Sequence, residues 1–419
     1  MQNQSSRAPR VYYGYVVVMV SFVVMAMSSG SNYSFSVFFE PLQESFGWSR
    51  AATAGAMSAF LIGQGVFSIG SGRLTDRFGP RPVVTAAGLL FGLGLLMMSR
   101  VDALWQVYIA YGVLAAAGHS ATFTPLSSTV VRWFQSRRGL MTGLVMAGTG
   151  LGTMFMPPLA NWLIHRTDWR MSYMVLGLVL LTVVVIAAQF LRRDPSAKGL
   201  RPYGADRPAD TRSASSAAPT GVTLSLALRS AQFWLLCLAF AAFGYTLQSV
   251  MAHVVIHSRG LGLTPASAAG VMTFIGGFGI AGRIGLGGLA DRFGSRAILT
   301  AALGLLSLSL FWLMLVEQTW EVYAFGVVFG LAYGGIVPQF SYRVAELFGL
   351  RAHGAILGAS QFCVALGGAA GPVLTGLGFD TLGSYTVPFA ICGVVAALGA
   401  LLSSLVKPLV KRSPQETQA

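Results

Sequence analysis

Long apolar stretches follow one another along the whole chain, and short polar segments separate them. Each stretch has about 20 residues or more, which is the length that an α-helix needs to cross a bilayer. Lipid offers the backbone no hydrogen-bond partner, and the stretches are too long for membrane-barrel strands, so each is predicted to be a helix. The twelve predicted spans are 12–38, 50–72, 82–100, 104–131, 139–164, 170–191, 232–257, 266–288, 297–316, 320–345, 353–378 and 385–406.

The composition is that of a membrane protein. Of the 419 residues, 54% are hydrophobic and 10% are charged, whereas a soluble domain carries about 25% charged residues. The chain is therefore predicted to be an all-α membrane protein with twelve transmembrane helices. The sequence holds no Walker loop, zinc-ligand spacing or catalytic triad, so we expect no enzymatic activity, no cofactor and no metal.

The distribution of positive charge predicts the orientation. With the N-terminus placed in the cytoplasm, the cytoplasmic segments hold 22 of the 28 lysines and arginines, as the positive-inside rule requires. Both termini are thus expected in the cytoplasm, and the protein in a bacterial inner membrane in contact with anionic lipid. The net charge of +14 follows from this asymmetry and does not indicate binding to nucleic acid.

One polar segment is longer than the others. Residues 192–223 are rich in Pro, Ala, Ser, Arg and Asp, and we expect a cytoplasmic linker largely without fixed structure. The predicted division is an N-terminal six-helix bundle at 1–191, a linker at 192–231 and a C-terminal six-helix bundle at 232–419. The amphipathic stretch Leu224–Phe233 is either an interfacial helix or the beginning of the seventh span.

The two halves repeat each other. The stretch Gly72-Arg-Leu-Thr-Asp-Arg-Phe-Gly79 returns 215 residues later as Gly287-Gly-Leu-Ala-Asp-Arg-Phe-Gly294. The same shift places Trp105-Gln-Val-Tyr108 on Trp320-Glu-Val-Tyr323. A register that persists along the chain indicates a parallel duplication of six spans, related by an axis along the membrane normal.

The repeated motif lies between spans 2 and 3 and again between spans 8 and 9. Its glycines allow close helix contact and a sharp turn at the membrane surface. Asp76 and Asp291 can pair with arginine or approach the N-terminus of a neighbouring helix, where the helix dipole favours an anion. We therefore expect contacts that latch the cytoplasmic side in one conformation. The predicted gating residues are Gly72, Asp76, Arg77, Gly79, Asp291, Arg292 and Gly294.

The motif, its two copies and the layout of six plus six spans resemble the major facilitator superfamily of secondary transporters. The resemblance covers essentially the whole chain. It implies two helical bundles around a central cavity that opens alternately to either side of the membrane. It also implies that the motif residues act in gating and do not bind substrate.

A narrower resemblance is to the monocarboxylate transporter family. It rests on Tyr12-Tyr-Gly-Tyr15 at the start of span 1 and on Tyr33-Ser-Phe-Ser-Val-Phe-Phe-Glu-Pro-Leu42 at its end. It also rests on Arg132-Trp-Phe-Gln-Ser-Arg-Arg-Gly-Leu140 after span 4, on Phe348-Gly-Leu-Arg351 before span 11, and on Arg283 in span 8.

Arg283 is the one Asp, Glu, Lys or Arg that the sequence places deep in a predicted span. It lies eight residues before Asp291, or about 12 Å along a helix, near the middle of a core about 30 Å thick. A charge there costs at least about 2.5–3.5 kcal/mol, which favours a functional role over a structural one. Guanidinium binds carboxylate strongly, and the resemblance implies the same role. The equivalent residue of the first half is Ser68.

Polar and aromatic residues within other spans are weaker candidates, because helix packing explains each of them as well. Tyr245 and Gln248 in span 7 belong to this group. Oxalate/formate exchangers, related members of the superfamily, use a second basic residue in span 11, where this chain has Ser360-Gln-Phe-Cys363. This favours a substrate with one carboxylate. The predicted substrate-binding residues are Arg283, Tyr33, Asn32, Phe123, Tyr333 and Gln361.

The sequence leaves the proton site open. Animal members of the monocarboxylate transporter family have an Asp four residues before the arginine, where this chain has Gly279. His119 in span 4 and His253 in span 7 are the candidates for proton coupling, because histidine titrates near neutral pH. A hydrogen-bonding role remains open for each, as does proton binding by Arg283 and the substrate together.

These features predict a transporter that moves a small monocarboxylate, similar to lactate or pyruvate, together with a proton. It is expected to use alternating access and to function as a monomer. An organic-anion exchanger or a drug efflux carrier of the same fold is an alternative. A transporter-like sensor, which binds ligand without turnover, is a further one.

Overall fold

The computed structural model describes residues 12–205, 221–316 and 318–407, and these are largely helical. A π-helical segment, Tyr108–Ala115, joins α5 to α6, and a short 3-10 helix, Pro195–Lys198, follows α8. The helices are α1 (Tyr13–Tyr33), α2 (Phe35–Phe46), α3 (Arg50–Phe78), α4 (Pro80–Met98), α5 (Leu104–Val107), α6 (Ala116–Trp133), α7 (Arg138–Arg166), α8 (Trp169–Ala188), α9 (Leu224–Leu228), α10 (Ala231–Gly260), α11 (Pro265–Phe293), α12 (Ser295–Leu313), α13 (Thr319–Phe348), α14 (His353–Leu382) and α15 (Thr386–Leu405).

Helical structure lies at each of the twelve predicted positions. Within the described part of the chain, ten spans are long and apolar enough to cross a membrane, and α1 with α2 forms the first of them. Helix α3 and the run from α5 to α6 are not among the ten. These two stretches carry buried polar side chains, including Ser68, Ser71 and Ser120. Twelve crossings with both termini in the cytoplasm therefore stay a prediction.

Buried apolar side chains form two large clusters. One is made by residues between positions 17 and 191, and the other by residues between positions 227 and 406. Phe123 and Val337 are partly buried and pack against both clusters. Each cluster thus draws on one side of the linker, and a few side chains join them.

Two helix pairs make the most extensive contacts between the halves, α3 with α14 and α7 with α11. The 215-residue shift carries α3 onto α11 and α7 onto α14, so the two interfaces are equivalent. In both, backbones approach closely where glycine leaves no side chain. A Cβ added to Gly72 would lie 2.0 Å from the carbonyl oxygen of Gly354, and one added to Gly139 would lie 2.0 Å from that of Gly287. The prediction that glycine serves close helix packing is confirmed at these interfaces.

The first part of the linker has a defined structure, so the expectation that it lacks one was wrong for residues 192–205. The backbone N–H of Tyr203 donates to the carbonyl of Trp133, and the ring of Tyr203 packs 5.6 Å from that of Tyr12 and 5.8 Å from that of Phe134. The segment has few large apolar residues, which is why it was predicted to lack structure. The ring of Tyr203 nevertheless provides enough apolar surface to hold it against the first cluster. Residues 206–220 lie outside the described part of the chain.

The end of the linker, Leu224–Phe233, contains a separate short helix, α9. It spans Leu224–Leu228, and its N-cap is Thr223, whose hydroxyl accepts a hydrogen bond from the N–H of Leu226 at 3.4 Å. Helix α10 begins separately, with Ser230 as its cap. Residues 224–228 thus form a short helix of their own, and residues 231–233 begin the seventh span; an interfacial position of α9 stays a prediction.

Candidate functional site

Arg283 lies on α11 inside the protein, with 2% of its surface exposed. Its Nη2 donates a hydrogen bond to the hydroxyl of Tyr333 on α13, and its guanidinium carbon lies 4.8 Å from the centre of the same ring. Its Nε and Nη1 are buried and have no hydrogen-bond partner among the described residues. No carboxylate among the described residues lies within ion-pair distance of Arg283. Arg283 is therefore a buried cation with unused donors.

Glycines surround this guanidinium. A Cβ on Gly150 of α7 would lie 3.1 Å from Nη1 of Arg283, and one on Gly279 would lie 3.4 Å from it. The same Cβ on Gly279 would lie 2.9 Å from the ring of Tyr333. Gly143 brings the backbone of α7 close to Arg283, since its Cβ would lie 2.0 Å from the carbonyl oxygen of that residue. The glycines leave room for the cation and add no side chain that competes for it.

A cavity of about 170 Å³ lies between helices of the two halves, on the side of α3 and α14. The described residues that line it carry no charge. Its polar groups are amides and hydroxyls. The lining residues are Tyr33, Leu61, Gln64, Gly65, Ser68, Ser120, Phe123, Thr124, Gly244, Leu247, Gln248, Gln361, Val364, Ala365 and Gly368.

The structure distributes the predicted substrate residues over two places. Tyr33, Phe123 and Gln361 line the cavity, as does the weaker candidate Gln248. Arg283 and Tyr333 contact each other on α11 and α13. Tyr33 lies between the two places. It lines the cavity and follows by one helical turn Ser29, whose hydroxyl is 3.4 Å from that of Thr149, the residue before Gly150.

Asn32 lies elsewhere. It is 6% exposed, and its Oδ1 accepts a hydrogen bond of 2.8 Å from the hydroxyl of Tyr111 within the first cluster. Its neighbour Tyr33 is 48% exposed. Successive helical residues point about 100° apart, so one of two adjacent candidates faces the core and the other the cavity.

Sequence reasoning missed the polar side chains that α3 and α6 contribute to the cavity, namely Gln64, Ser120 and Thr124. The internal repeat held a signal for the first of them. The 215-residue shift places Gln64 on Gly279 and Ser68 on Arg283, the two positions that drew attention in the second half.

The two candidate histidines differ in their surroundings. His119 is 8% exposed, its ring lies 5.4 Å from that of Phe60 and 5.8 Å from that of Phe91, and neither ring nitrogen has a partner among the described residues. His253 is paired at both nitrogens: Nδ1 lies 3.2 Å from the hydroxyl of Tyr385, and Nε2 lies 3.0 Å from the carbonyl oxygen of Pro372.

The repeated motif forms two equivalent contacts between the halves, which we call the latches after their predicted role. The carboxylate of Asp76 accepts hydrogen bonds from the backbone N–H groups of Gly354 and Ala355, at 3.1 and 2.8 Å, where α14 begins. Asp291 accepts them from the N–H groups of residues 139 and 140, at 2.6 and 2.9 Å, where α7 begins. The 215-residue shift carries residues 139 and 140 onto residues 354 and 355, so the two contacts are equivalent. In each of them one half supplies a carboxylate to a helix N-terminus of the other half.

The remaining motif residues have distinct places. Gly79 and Gly294 both have φ +84°, a conformation that favours glycine, and they end α3 and α11. Arg77 and Arg292 are exposed and lie over the rings of their neighbours Phe78 and Phe293. The ion pair of the first latch comes from another residue, which the predicted gating set did not include. That residue is Arg132, whose Nη2 lies 3.3 Å from Oδ1 of Asp76.

Comparison with known proteins gives a consistent result. The family model of the Major Facilitator Superfamily matches residues 21–320 and 284–419. Human monocarboxylate transporter 11 is 30% identical over 414 residues, which cover 96% of this chain and 84% of that protein. The oxalate:formate antiporter of Oxalobacter formigenes is 27% identical over 426 residues, which cover 96% of this chain and 95% of the antiporter.

The fold agrees with solved structures. The fucose:proton symporter of E. coli superposes with a TM-score of 0.72, covering 95% of this chain and 100% of that one. The two sequences are 15% identical, so this likeness shows a common fold.

Proposed function

Because the chain belongs to the Major Facilitator Superfamily, we propose that it is a secondary active transporter of a small monocarboxylate, with Arg283 as the ligand of the carboxylate. Relatives over nearly the full length are named monocarboxylate transporter or oxalate:formate antiporter. Both names describe carriers of small organic anions, which supports this class of substrate.

One observation carries the proposal: the buried guanidinium of Arg283 has two nitrogens without a partner among the described residues. An unpaired buried charge is costly, and it persists where function needs it. A carboxylate that reaches Arg283 neutralises its charge and accepts its free N–H groups in charge-assisted hydrogen bonds. The substrate thereby supplies the hydrogen-bond acceptors that the described residues around Arg283 do not provide.

Tyr333 and Gly279 prepare this cation for a ligand. The hydroxyl of Tyr333 holds one edge of the guanidinium, which limits the orientations of a long side chain. Gly279 keeps the space beside Nη1 free of any side chain. A carboxylate at position 279 would pair with Arg283 from within the protein, whereas glycine leaves that pairing to the substrate.

We place the coupling proton on His253. A protonated imidazole is a donor at both nitrogens, and both partners of His253, the Pro372 carbonyl and the Tyr385 hydroxyl oxygen, can accept. His119 would become a cation between two phenyl rings with no acceptor among the described residues. His253 lies five residues after Gln248 on α10, or about 7.5 Å along the axis from the cavity.

In the proposed transport cycle, the two latches close one face of the transporter. Asp76 and Asp291 both accept hydrogen bonds from helix N-termini of the other half, and these contacts would hold the motif side shut. We propose that this side faces the cytoplasm of a bacterial inner membrane, on the strength of the positive-inside asymmetry. Opening both latches would expose the bound anion and proton to the cytoplasm, and their joint movement is electroneutral.

The test is uptake of labelled L-lactate into proteoliposomes with an alkaline interior. Wild-type protein is expected to accumulate lactate, and Arg283→Gln to reduce uptake at least about tenfold, because a hydrogen bond to a charged group contributes about 1.5–3 kcal/mol. Arg229→Gln makes the same change at an exposed arginine and is the control. Full uptake by a monodisperse Arg283→Gln protein would refute the proposal.

The same assay separates the alternatives. An anion exchanger, which the likeness to the oxalate:formate antiporter favours, would take up lactate only with counter-substrate inside the vesicle. A sensor would bind lactate with no uptake under either condition. A drug efflux carrier would move lipophilic compounds and leave lactate outside.

A further inference from the structure

The neutral cavity beside α3 and α14 has a chemistry of its own. Three of its side chains are glutamines, Gln64 on α3, Gln248 on α10 and Gln361 on α14. The other polar lining groups are hydroxyls, from Tyr33, Ser68, Ser120 and Thr124. Its polar surface thus consists of groups that bind neutral hydrogen-bonding partners.

The internal repeat relates this cavity to the arginine site. A shift of 215 residues carries Ser68 onto Arg283 and Tyr33 onto Gln248. The same repeat relates α3 and α14, which flank the cavity, to α11, which carries Arg283, and to α7 beside it. The side of the cavity formed by α3 and α14 is therefore the counterpart of the arginine site, with neutral residues in place of the cation.

The cavity offers both donors and acceptors. The Ser68 hydroxyl donates to the carbonyl oxygen of Gly358 at 2.7 Å, and the Ser120 hydroxyl donates to that of Ala117 at 2.7 Å. Each serine oxygen thus keeps lone pairs for an incoming donor. Nε2 of Gln361 is a buried donor with no partner among the described residues. A hydroxyl group satisfies both kinds of partner at once, because it donates and accepts.

Apolar side chains also line the cavity, among them Leu61, Phe123 and Leu247, so it suits a carbon chain that carries hydroxyl groups. A plain alkyl chain would contact these apolar side chains but would leave the amides and hydroxyls without a partner, and each buried group left unsatisfied costs about 1–3 kcal/mol. The volume of about 170 Å³ has room for several water-sized groups. Lactate has a single hydroxyl and would leave most of this space to water.

We propose that the cavity is the second half of the substrate site and takes the hydroxylated chain of a polyhydroxy monocarboxylate that is longer than lactate. The inference rests on the proposed function, since Arg283 would hold the carboxylate at the other end. Tyr33 lines the cavity and lies one helical turn after Ser29, whose hydroxyl is 3.4 Å from that of Thr149. Thr149 precedes Gly150, whose Cβ would lie 3.1 Å from Nη1 of Arg283, so the two parts meet near Tyr33.

Three probes of similar length test the proposal on the purified full-length protein. D-Gluconate carries a carboxylate and hydroxyls, n-hexanoate carries the carboxylate alone, and D-glucose carries hydroxyls alone. Calorimetric titration is expected to give a Kd for gluconate at least about tenfold below that for hexanoate, because more than one buried polar group finds a partner.

Two variants assign the preference to the cavity. Gln64→Met and Gln248→Met keep the length of the side chain and remove its hydrogen bonds. Each is expected to weaken gluconate about tenfold and to leave hexanoate unchanged. Gln135→Met makes the same change at an exposed position and should alter neither Kd. Size-exclusion profiles identify a variant that has not folded, and the other variant then carries the test.

The outcomes separate this proposal from the one on which it rests. If hexanoate binds as tightly as gluconate, or if both folded glutamine variants bind gluconate as wild type does, the hydroxylated substrate is refuted while the role of Arg283 stands. If Arg283→Gln leaves gluconate binding intact and glucose binds equally well, the carboxylate role is refuted while the hydroxyl preference stands. Failure of all three probes to bind refutes the hydroxylated substrate, and the lactate uptake assay with Arg283→Gln then decides the role of Arg283 by itself.

Discussion

The guanidinium of Arg283 donates a hydrogen bond to the hydroxyl of Tyr333 and lies 4.8 Å from the centre of the same ring. Fifty residues separate the two in the chain, and they come from different helices, α11 and α13. One aromatic side chain thus provides both a hydrogen bond and a cation–π contact to the buried charge. Substitutions at Tyr333 and beside it should therefore change how the cation meets its ligand.

Tyr333→Phe is expected to raise the KM for lactate about tenfold. The substitution keeps the ring and removes the acceptor that holds Arg283, and a hydrogen bond to a charged group contributes about 1.5–3 kcal/mol. Uptake at varied lactate concentration measures the change. Tyr323→Phe is the matched control on the same helix, because its hydroxyl bonds to the carbonyl of Ser267 at 3.0 Å, away from Arg283. An unchanged KM in Tyr333→Phe would show that the hydroxyl does not position the cation.

Gly279→Ala is expected to reduce lactate transport, because the added methyl group displaces the ring of Tyr333. The new Cβ would lie 2.9 Å from the ring of Tyr333 and 3.4 Å from Nη1 of Arg283, so the ring has to move. Overpacking of this kind costs about 1–3 kcal/mol. Gly277→Ala, two residues away on α11, places its Cβ in open space and should transport normally. Equal lactate uptake by the two variants would contradict a close contact between position 279 and the ring.

Gly72→Ala is expected to hold one latch open. Its Cβ would lie 2.0 Å from the carbonyl oxygen of Gly354, which is backbone and cannot turn aside. Helices α3 and α14 must then separate, and the hydrogen bonds from the start of α14 to Asp76 lengthen. The expected penalty is about 1–3 kcal/mol against the latched conformation. Gly70→Ala adds the same methyl group where nothing lies within 4 Å and is the control.

Distances between spin labels can report that latch. Labels on cysteines introduced at the exposed positions Arg73 and Arg351 lie at the ends of the two helices that the latch joins. Gly72→Ala should shift the distance distribution to longer values, and Gly70→Ala should not. The native cysteines Cys237, Cys363 and Cys392 are replaced by serine beforehand.

His253→Gln is expected to uncouple transport from the pH gradient. Lactate should still equilibrate and exchange across the vesicle membrane, but an alkaline interior should no longer drive accumulation, because glutamine does not titrate. His119→Leu removes the other histidine without leaving a polar atom unpaired, and gradient-driven uptake should persist. Loss of accumulation in His119→Leu, with His253→Gln unaffected, would reverse the assignment.

The sequence predicts part of the candidate site, for two physical reasons. Arg283 was identified because a charge in an apolar stretch is rare and costly. The latches were identified because the motif occurs twice with one spacing. The cavity residues Gln64 and Ser120 were missed because an isolated amide or hydroxyl in a span has no such signal. Many of these groups bond within their own helix, as Ser120 does with Ala117.

The sequence by itself determined the helices and the repeat, because apolar length and identity at a fixed spacing are local properties of the chain. Tertiary structure alone decided which side chains meet. Helices that are apolar on most sides have no polar face to fix their rotation about the axis. Packing against neighbouring helices fixes it, and through that packing Tyr333 meets Arg283, Asn32 is buried beside Tyr111, and Asp76 caps a helix that begins more than 270 residues later.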